Sequence, residues 1–149
     1  MEKNKCIPFP QADDISKIFK IINISNQSDI KNKNSMKIIL GGITDRQVQY
    51  YINAVKYFGI LNNLKEFTKV GNEIRSLNEY EQKIYFCRLI VSDPVFGEAY
   101  FSEKILGCSL EREDVITIMK KHLTFDSEEI YKRRAQTVLK WIGWINSLM

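Results

Sequence analysis

The side chains best suited to chemistry sit in one short stretch, Thr44-Asp45-Arg46-Gln47-Val48-Gln49-Tyr50-Tyr51-Ile52-Asn53-Ala54-Val55-Lys56. Arginine can bond bidentately to guanine, and glutamine or asparagine to adenine. Arg46, Gln47, Gln49 and Asn53 are therefore residue types that read base edges, with Arg46 and Gln49 the leading pair. Tyr50 and Lys56 suit contacts to phosphate, which position a protein on a duplex without reading it. Thr44 suits a helix N-cap, and a cap can also reach a phosphate. A second group, Lys132, Arg133, Arg134, Gln136 and Lys140, recurs near the C-terminus. There Glu128 and Glu129 lie within pairing distance along a helix, so a solvated, internally paired face competes with a binding role.

Catalytic readings find little support. The chain has one histidine, His122, which follows Lys120-Lys121 at an expected helix end. A cation is favoured there by the helix dipole. A lone histidine with no placed serine or cysteine makes no triad. A metal-dependent nuclease needs clustered carboxylates, whereas Asp93, Glu98 and Glu103 are dispersed. Gly41-Gly42 reads as a helix terminator, not a phosphate loop. Cys6, Cys87 and Cys108 contain no CxxC pair, so neither a disulfide framework nor a zinc site is indicated. No catalytic residue, metal site or cofactor is expected in the chain.

Composition agrees with a folded, helix-rich protein. At 149 residues, with 44% hydrophobic and 27% charged residues, the chain can bury one core or two small ones. Seven glycines and three prolines leave little room for a turn-rich sandwich. No apolar run approaches membrane-spanning length, and the start lacks a secretory h-region. A cytoplasmic protein with reduced thiols is the expectation. The net charge of +4 is unevenly spread. Residues 1–77 hold twelve Lys and Arg against seven Asp and Glu, whereas residues 78–149 hold ten against eleven. The basic excess in the first half points toward a polyanion, or else reflects drift in a lysine-rich chain.

The elements that must position these residues follow from periodicity and caps. Pro8 and Pro10 suggest an extended lead-in over residues 1–12. Ile15, Ile18, Phe19 and Ile22 predict a helix that fades near Asn23. Residues 25–35 read as a polar loop with at most a short helical turn, and Ser35 is a candidate cap for a helix over 36–40. Thr44 and Gln47 form a capping box for a helix from Asp45 to about Phe58. One stripe of it carries Val48, Tyr51, Ile52 and Val55; the other side carries Arg46, Gln49, Tyr50, Asn53 and Tyr57. After Gly59, residues 60–68 predict two very short strands about Asn62-Asn63, and Thr68 caps a helix through Leu77. Further helices are expected from Asn78 to Ser92, from Phe96 to Leu106, from Ser109 to Leu123, and from Asp126–Ser127 to Leu148. Val138, Trp141, Ile142 and Ile145 form the inner stripe of the last.

The order helix, helix, turn, helix, hairpin is the layout of a winged helix. The string Thr44 to Ile60, followed by Phe67-Thr68-Lys69-Val70-Gly71, resembles a winged helix of the T-x-R-Q-x-x-Y-Y-x-x-A-x-x-Y-L-G-L … L-T-x-x-G kind. Ile130 to Ile145 is similar to the R-R-x-x-T-V-x-x-W-x-x-W helix of the same proteins. These are tandem winged-helix modules of bacterial type II restriction endonucleases and related defence proteins. The resemblance covers about residues 13–146. It implies an all-α chain with a small β-wing: module 1 over 13–77 and a winged-helix-like module 2 over 78–149. It further implies sequence-specific binding of double-stranded DNA, with cleavage performed elsewhere in a longer protein. Thr44, Arg46, Gln47, Gln49, Tyr50, Asn53, Lys56, Lys132, Arg133, Gln136 and Lys140 are its expected DNA-binding residues. The second module has no sequence left for a wing. That departure fits an N-terminal part of a longer protein whose C-terminal nuclease domain supplies the chemistry. It equally fits a stand-alone transcription or defence regulator that dimerises through its last helix. A helical protein-interaction module is the third reading.

Overall fold

The computed structural model describes residues 7–149. Of the expected lead-in over 1–12, residues 1–6, Cys6 among them, lie outside the described residues. Residues 7–12 are not helical, and Phe9 and Ala12 are buried. The described chain is mostly helical, in keeping with an all-α class, and holds no strand. It divides into two compact units, residues 1–83 and 84–149.

The first unit begins with α1 (Ile15–Ile22), capped by Asp14, whose carboxylate accepts from the Ser16 amide at 2.9 Å. A 3-10 turn (Gln27–Lys31) and α2 (Lys33–Ile39) follow. The cap of α2 is Asn32, not Ser35, because the Asn32 side chain reaches the Ser35 amide at 3.0 Å and starts the helix three residues earlier. Helix α3 (Asp45–Tyr57) carries the capping box expected of Thr44 and Gln47. The Gln47 amide donates to Thr44 Oγ1 at 3.1 Å, and the Thr44 amide donates back to Gln47 Oε1 at 3.0 Å.

Helix α3 stops at Gly59, whose φ of +74° lies in the left-handed region. The Ile60 amide turns back to the Val55 carbonyl and the Gly59 amide to that of Lys56, each at 3.0 Å. This is the paired closure that a glycine one place beyond the cap permits, and it buries Ile60 completely. The two strands expected over 60–68 reduce to a single antiparallel bridge, Leu61 with Phe67. The reason is local. Asn62 Oδ1 takes the amides of Leu64 and Glu66, at 2.9 and 3.0 Å, and Lys65 adopts φ +60°, so the tip curls before a ladder can extend.

Helix α4 (Lys69–Arg75) is capped by Thr68, which accepts from the Gly71 amide at 3.0 Å. The Thr68 hydroxyl donates to the Gly59 carbonyl. A Cβ on Gly71 would lie 2.2 Å from the Ile60 carbonyl oxygen, so only glycine allows this approach. Arg75 Nη1 donates to the Ile22 and Ile24 carbonyls at 2.6 and 3.1 Å, tying α4 to the end of α1. Gln82 is buried, exchanging amide hydrogen bonds with Asn23 and donating to the Ile74 carbonyl at 3.0 Å. Its helix, α5 (Glu79–Ser92), crosses the boundary between the units.

In the second unit α6 (Pro94–Leu106) starts at the expected break, with Asp93 accepting from the Val95 and Phe96 amides. Helix α7 (Arg112–His122) is preceded by Glu111, not Ser109. The Asp114 carboxylate takes the Glu111 amide at 2.8 Å and sets the start there. Helix α8 (Glu128–Ser147) is capped by Ser127 through the Ile130 amide, in place of the expected Asp126 box. It packs on α6 and α7. Its core is Trp141, fully buried and stacked on Phe96 at 5.0 Å, with Phe86 beside it at 5.7 Å.

Gly71→Ala is expected to cost about 1–3 kcal/mol, because the obstacle is backbone and cannot swing aside. Gly143→Ala, on an exposed turn of α8 with nothing within 4 Å of the new Cβ, is expected to gain up to about 1 kcal/mol. Urea unfolding of both variants checks the pair; equal effects would contradict the assigned close approach.

Candidate nucleic-acid interface

The stripe Val48, Tyr51, Ile52 and Val55 of α3 is buried, together with Ala54. The Tyr51 hydroxyl accepts from the Asp14 amide at 3.0 Å, so the start of α1 fixes the rotation of α3. Burying that stripe turns residues 46, 49, 50 and 53 to the opposite side. Tyr57, expected on that outer side, is half-buried instead. Its ring meets Phe9 at 5.6 Å and Phe58 at 5.1 Å, because the lead-in crosses that end of the helix.

The candidate residues of α3 are ordered by bonds among themselves. Arg46 is exposed, and its Nε donates to the Tyr50 hydroxyl at 2.7 Å, with the guanidinium carbon 5.6 Å from that ring's centre. Gln49 and Asn53 are half-buried and joined, Gln49 Nε2 donating to Asn53 Oδ1 at 2.8 Å. Both pairs have i,i+4 spacing, which places side chains one above the other on a helix. Thr44 and Gln47 are exposed but occupied by the capping box. Lys56 is half-buried near the last turn. Burial lowers its ammonium pKa from the ordinary value, and the like charge of Lys65 on the following loop lowers it further. The proximity of Lys65 has no signature in the sequence, since the left-handed curl of the loop creates it.

The second group lies in the other unit, along the first half of α8. Lys132 pairs with Glu129 at 3.6 Å. The Arg134 guanidinium lies 4.8 Å from the centre of the Phe125 ring. Arg133 is half-buried; Gln136 and Lys140 are exposed. Across from this helix, Lys120 of α7 reaches Glu128 at 2.6 Å. Trp144 packs on Phe86 at 6.1 Å.

The dispersed acids have structural partners. Glu98 is bonded by Lys121, and His122 Nε2 lies 3.0 Å from its other oxygen. These bonds, that from Lys121 foremost, lower the Glu98 pKa below the ordinary carboxylate value. Glu103 accepts from Asn146 Nδ2 at 2.8 Å and from the Leu110 amide at 3.3 Å. Burial raises the Cys87 thiol pKa. Among the described residues no three His, Cys, Asp or Glu side chains form a group that could hold a metal ion. No helix among them is long and apolar enough to cross a membrane.

A carboxylate whose folded pKa is depressed adds stability at pH values above its unfolded pKa, and the gain disappears as pH falls through the folded value. Glu98→Gln is therefore expected to lower Tm by about 1–2 °C at pH 7, the exposed setting keeping the effect small. The difference should close by about pH 3, as melting curves across pH would show. A difference that stayed constant with pH would remove the ion pair as its cause.

A family model described as a domain of unknown function, DUF7226, matches residues 17–149, and the chain belongs to that family. No curated protein and no solved structure matches the chain.

Proposed function

We propose that this member of the DUF7226 family binds double-stranded DNA sequence-specifically, with α3 as the recognition helix. In this reading residues 13–77 are a winged-helix module whose wing is the short loop closed by Leu61 and Phe67. Residues 78–149 are a second, winged-helix-like module that adds Lys132, Arg133, Gln136 and Lys140 to the contact surface. Together they act as the recognition region of a type II restriction endonuclease-like protein, with cleavage supplied outside this chain.

One observation carries the reading. Helix α3 buries its apolar stripe completely enough to be fixed in rotation, and it presents arginine, glutamine, tyrosine and asparagine on the other side. A major-groove helix needs both properties: a face locked to its own protein and an opposite face of donors and acceptors. The lysine pair supports the same side of the account. Lys56 and Lys65 repel one another, and an approaching phosphate would relieve that repulsion. The basic excess of residues 1–77 supplies the long-range attraction.

Duplex binding by the full chain, measured by fluorescence anisotropy over a range of salt, tests this. Lys56→Ala should weaken all sequences alike and reduce the salt slope by about one. Arg46→Ala should cost about 1–3 kcal/mol on the preferred site and little elsewhere, a loss of roughly ten- to a hundred-fold. Melting should stay within about 0.5 kcal/mol of wild type for Arg46→Ala, an exposed position. A wild-type chain without salt-dependent duplex affinity would overturn the proposal.

A further inference from the structure

The two hydrogen bonds on the outer side of α3 restrict what that helix can read. From them we infer that α3 carries two prepaired reading units, Arg46 with Tyr50 selecting a guanine and Gln49 with Asn53 jointly selecting an adenine. The inference rests on the DNA-binding reading and adds the bases it would choose.

Arg46 has five N–H donors, one on Nε and four on the two terminal nitrogens. The Tyr50 hydroxyl takes the Nε hydrogen at 2.7 Å, and the aromatic ring below the guanidinium limits its tilt. The terminal edge, with two parallel donors, is what remains to face outward. Of the four bases only guanine offers two adjacent acceptors, O6 and N7, in the major groove. Adenine puts a donor where one of them should be, and thymine has a single acceptor. Tyr50 is thus a positioning residue for Arg46, in addition to any phosphate contact of its own. The geometry is set before DNA arrives, so less side-chain freedom is lost on binding.

Gln49 and Asn53 work differently because each uses part of its amide on the other. Gln49 gives one Nε2 hydrogen to Asn53 Oδ1 at 2.8 Å. Gln49 Oε1 is left as an acceptor and Asn53 Nδ2 as a donor. That is the complement of the major-groove edge of adenine, which donates from N6 and accepts at N7. Guanine would set two acceptors against Gln49 Oε1, which has no hydrogen to give. Neither amide alone is the reader; removing either one leaves the other unoriented. The midpoint of this pair lies about five residues from Arg46, roughly 7.5 Å along the helix axis. At about 3.4 Å per base step, the guanine and the adenine should fall two or three steps apart.

The test is selection from a random duplex pool by the full-length wild type and four variants, at one salt concentration. Binding to bulk duplex and melting are measured alongside. Wild type should enrich a guanine and an adenine two or three steps apart. Tyr50→Phe keeps the ring and removes the acceptor, so preference for the guanine should drop about three- to tenfold while bulk-duplex affinity and its salt slope hold. Gln49→Ala, Asn53→Ala and the double variant should each lose the adenine preference to the same extent. That non-additivity is the mark of a single unit. Unchanged guanine enrichment by Tyr50→Phe would overturn the first assignment. Additive losses, or losses at two different bases, from the two alanine variants would overturn the second. Selection by wild type with either of those outcomes leaves the DNA-binding reading standing. A wild type with no affinity for duplex would overturn that reading and this inference together.

Discussion

The closeness of α4 to the end of α3 is the constraint on which the rest of the first unit depends. Gly71 meets the Ile60 carbonyl where any side chain would collide, and the Thr68 hydroxyl links the Gly59 carbonyl to the Gly71 amide. Four residues earlier than Gly71 the Phe67 backbone bridges Leu61, so the chain leaves α3, curls and returns within a few ångströms. Once that end is pinned, and Tyr51 holds the Asp14 amide on another turn, α3 has no freedom to roll. Its polar side is outward by elimination. Arg75 then anchors α4 to the last carbonyls of α1, which favour a cation at a helix C-terminus.

Features set by neighbours in sequence were legible beforehand. The Thr44–Gln47 box, the buried stripe of α3, the glycine stop and the break at Asp93-Pro94 are all decided within four residues. Where several capping side chains stood close together, the choice among them was not legible. Asn32 displaced Ser35, Glu111 displaced Ser109, and Ser127 displaced Asp126, because the start that wins also depends on what the first turn packs against. The expected strands failed for a related reason. Asn62 competes for the amides a ladder would use, and this asparagine looks the same in a sequence whether it ends a strand or curls it.

Contacts between distant residues were the least legible. Gln82 reads as a solvated residue in a first helical turn, yet it is buried by its exchange with Asn23 and the Ile74 carbonyl. Glu98 reads as an isolated acid, yet α7 brings Lys121 and His122 to it. At the candidate site the residue types were visible, whereas the division of hydrogen bonds among them was not. That division separates a row of polar tips from two fixed donor–acceptor patterns, and it leaves the two basic groups with different characters. On α3 the polar side chains bond laterally to one another; on α8 Lys132 is met by a carboxylate of its own helix.

The most direct measurement is an NMR titration of the full chain, uniformly labelled with nitrogen-15, against a duplex recovered from a random pool. The account predicts that the backbone amides of residues 44–53 and the side-chain amides of Gln49 and Asn53 shift first and furthest. The buried amides of Ile52 and Val55 should move little. Shifts that saturate with the duplex but spare α3, whatever else they mark, would contradict its assignment as the recognition helix.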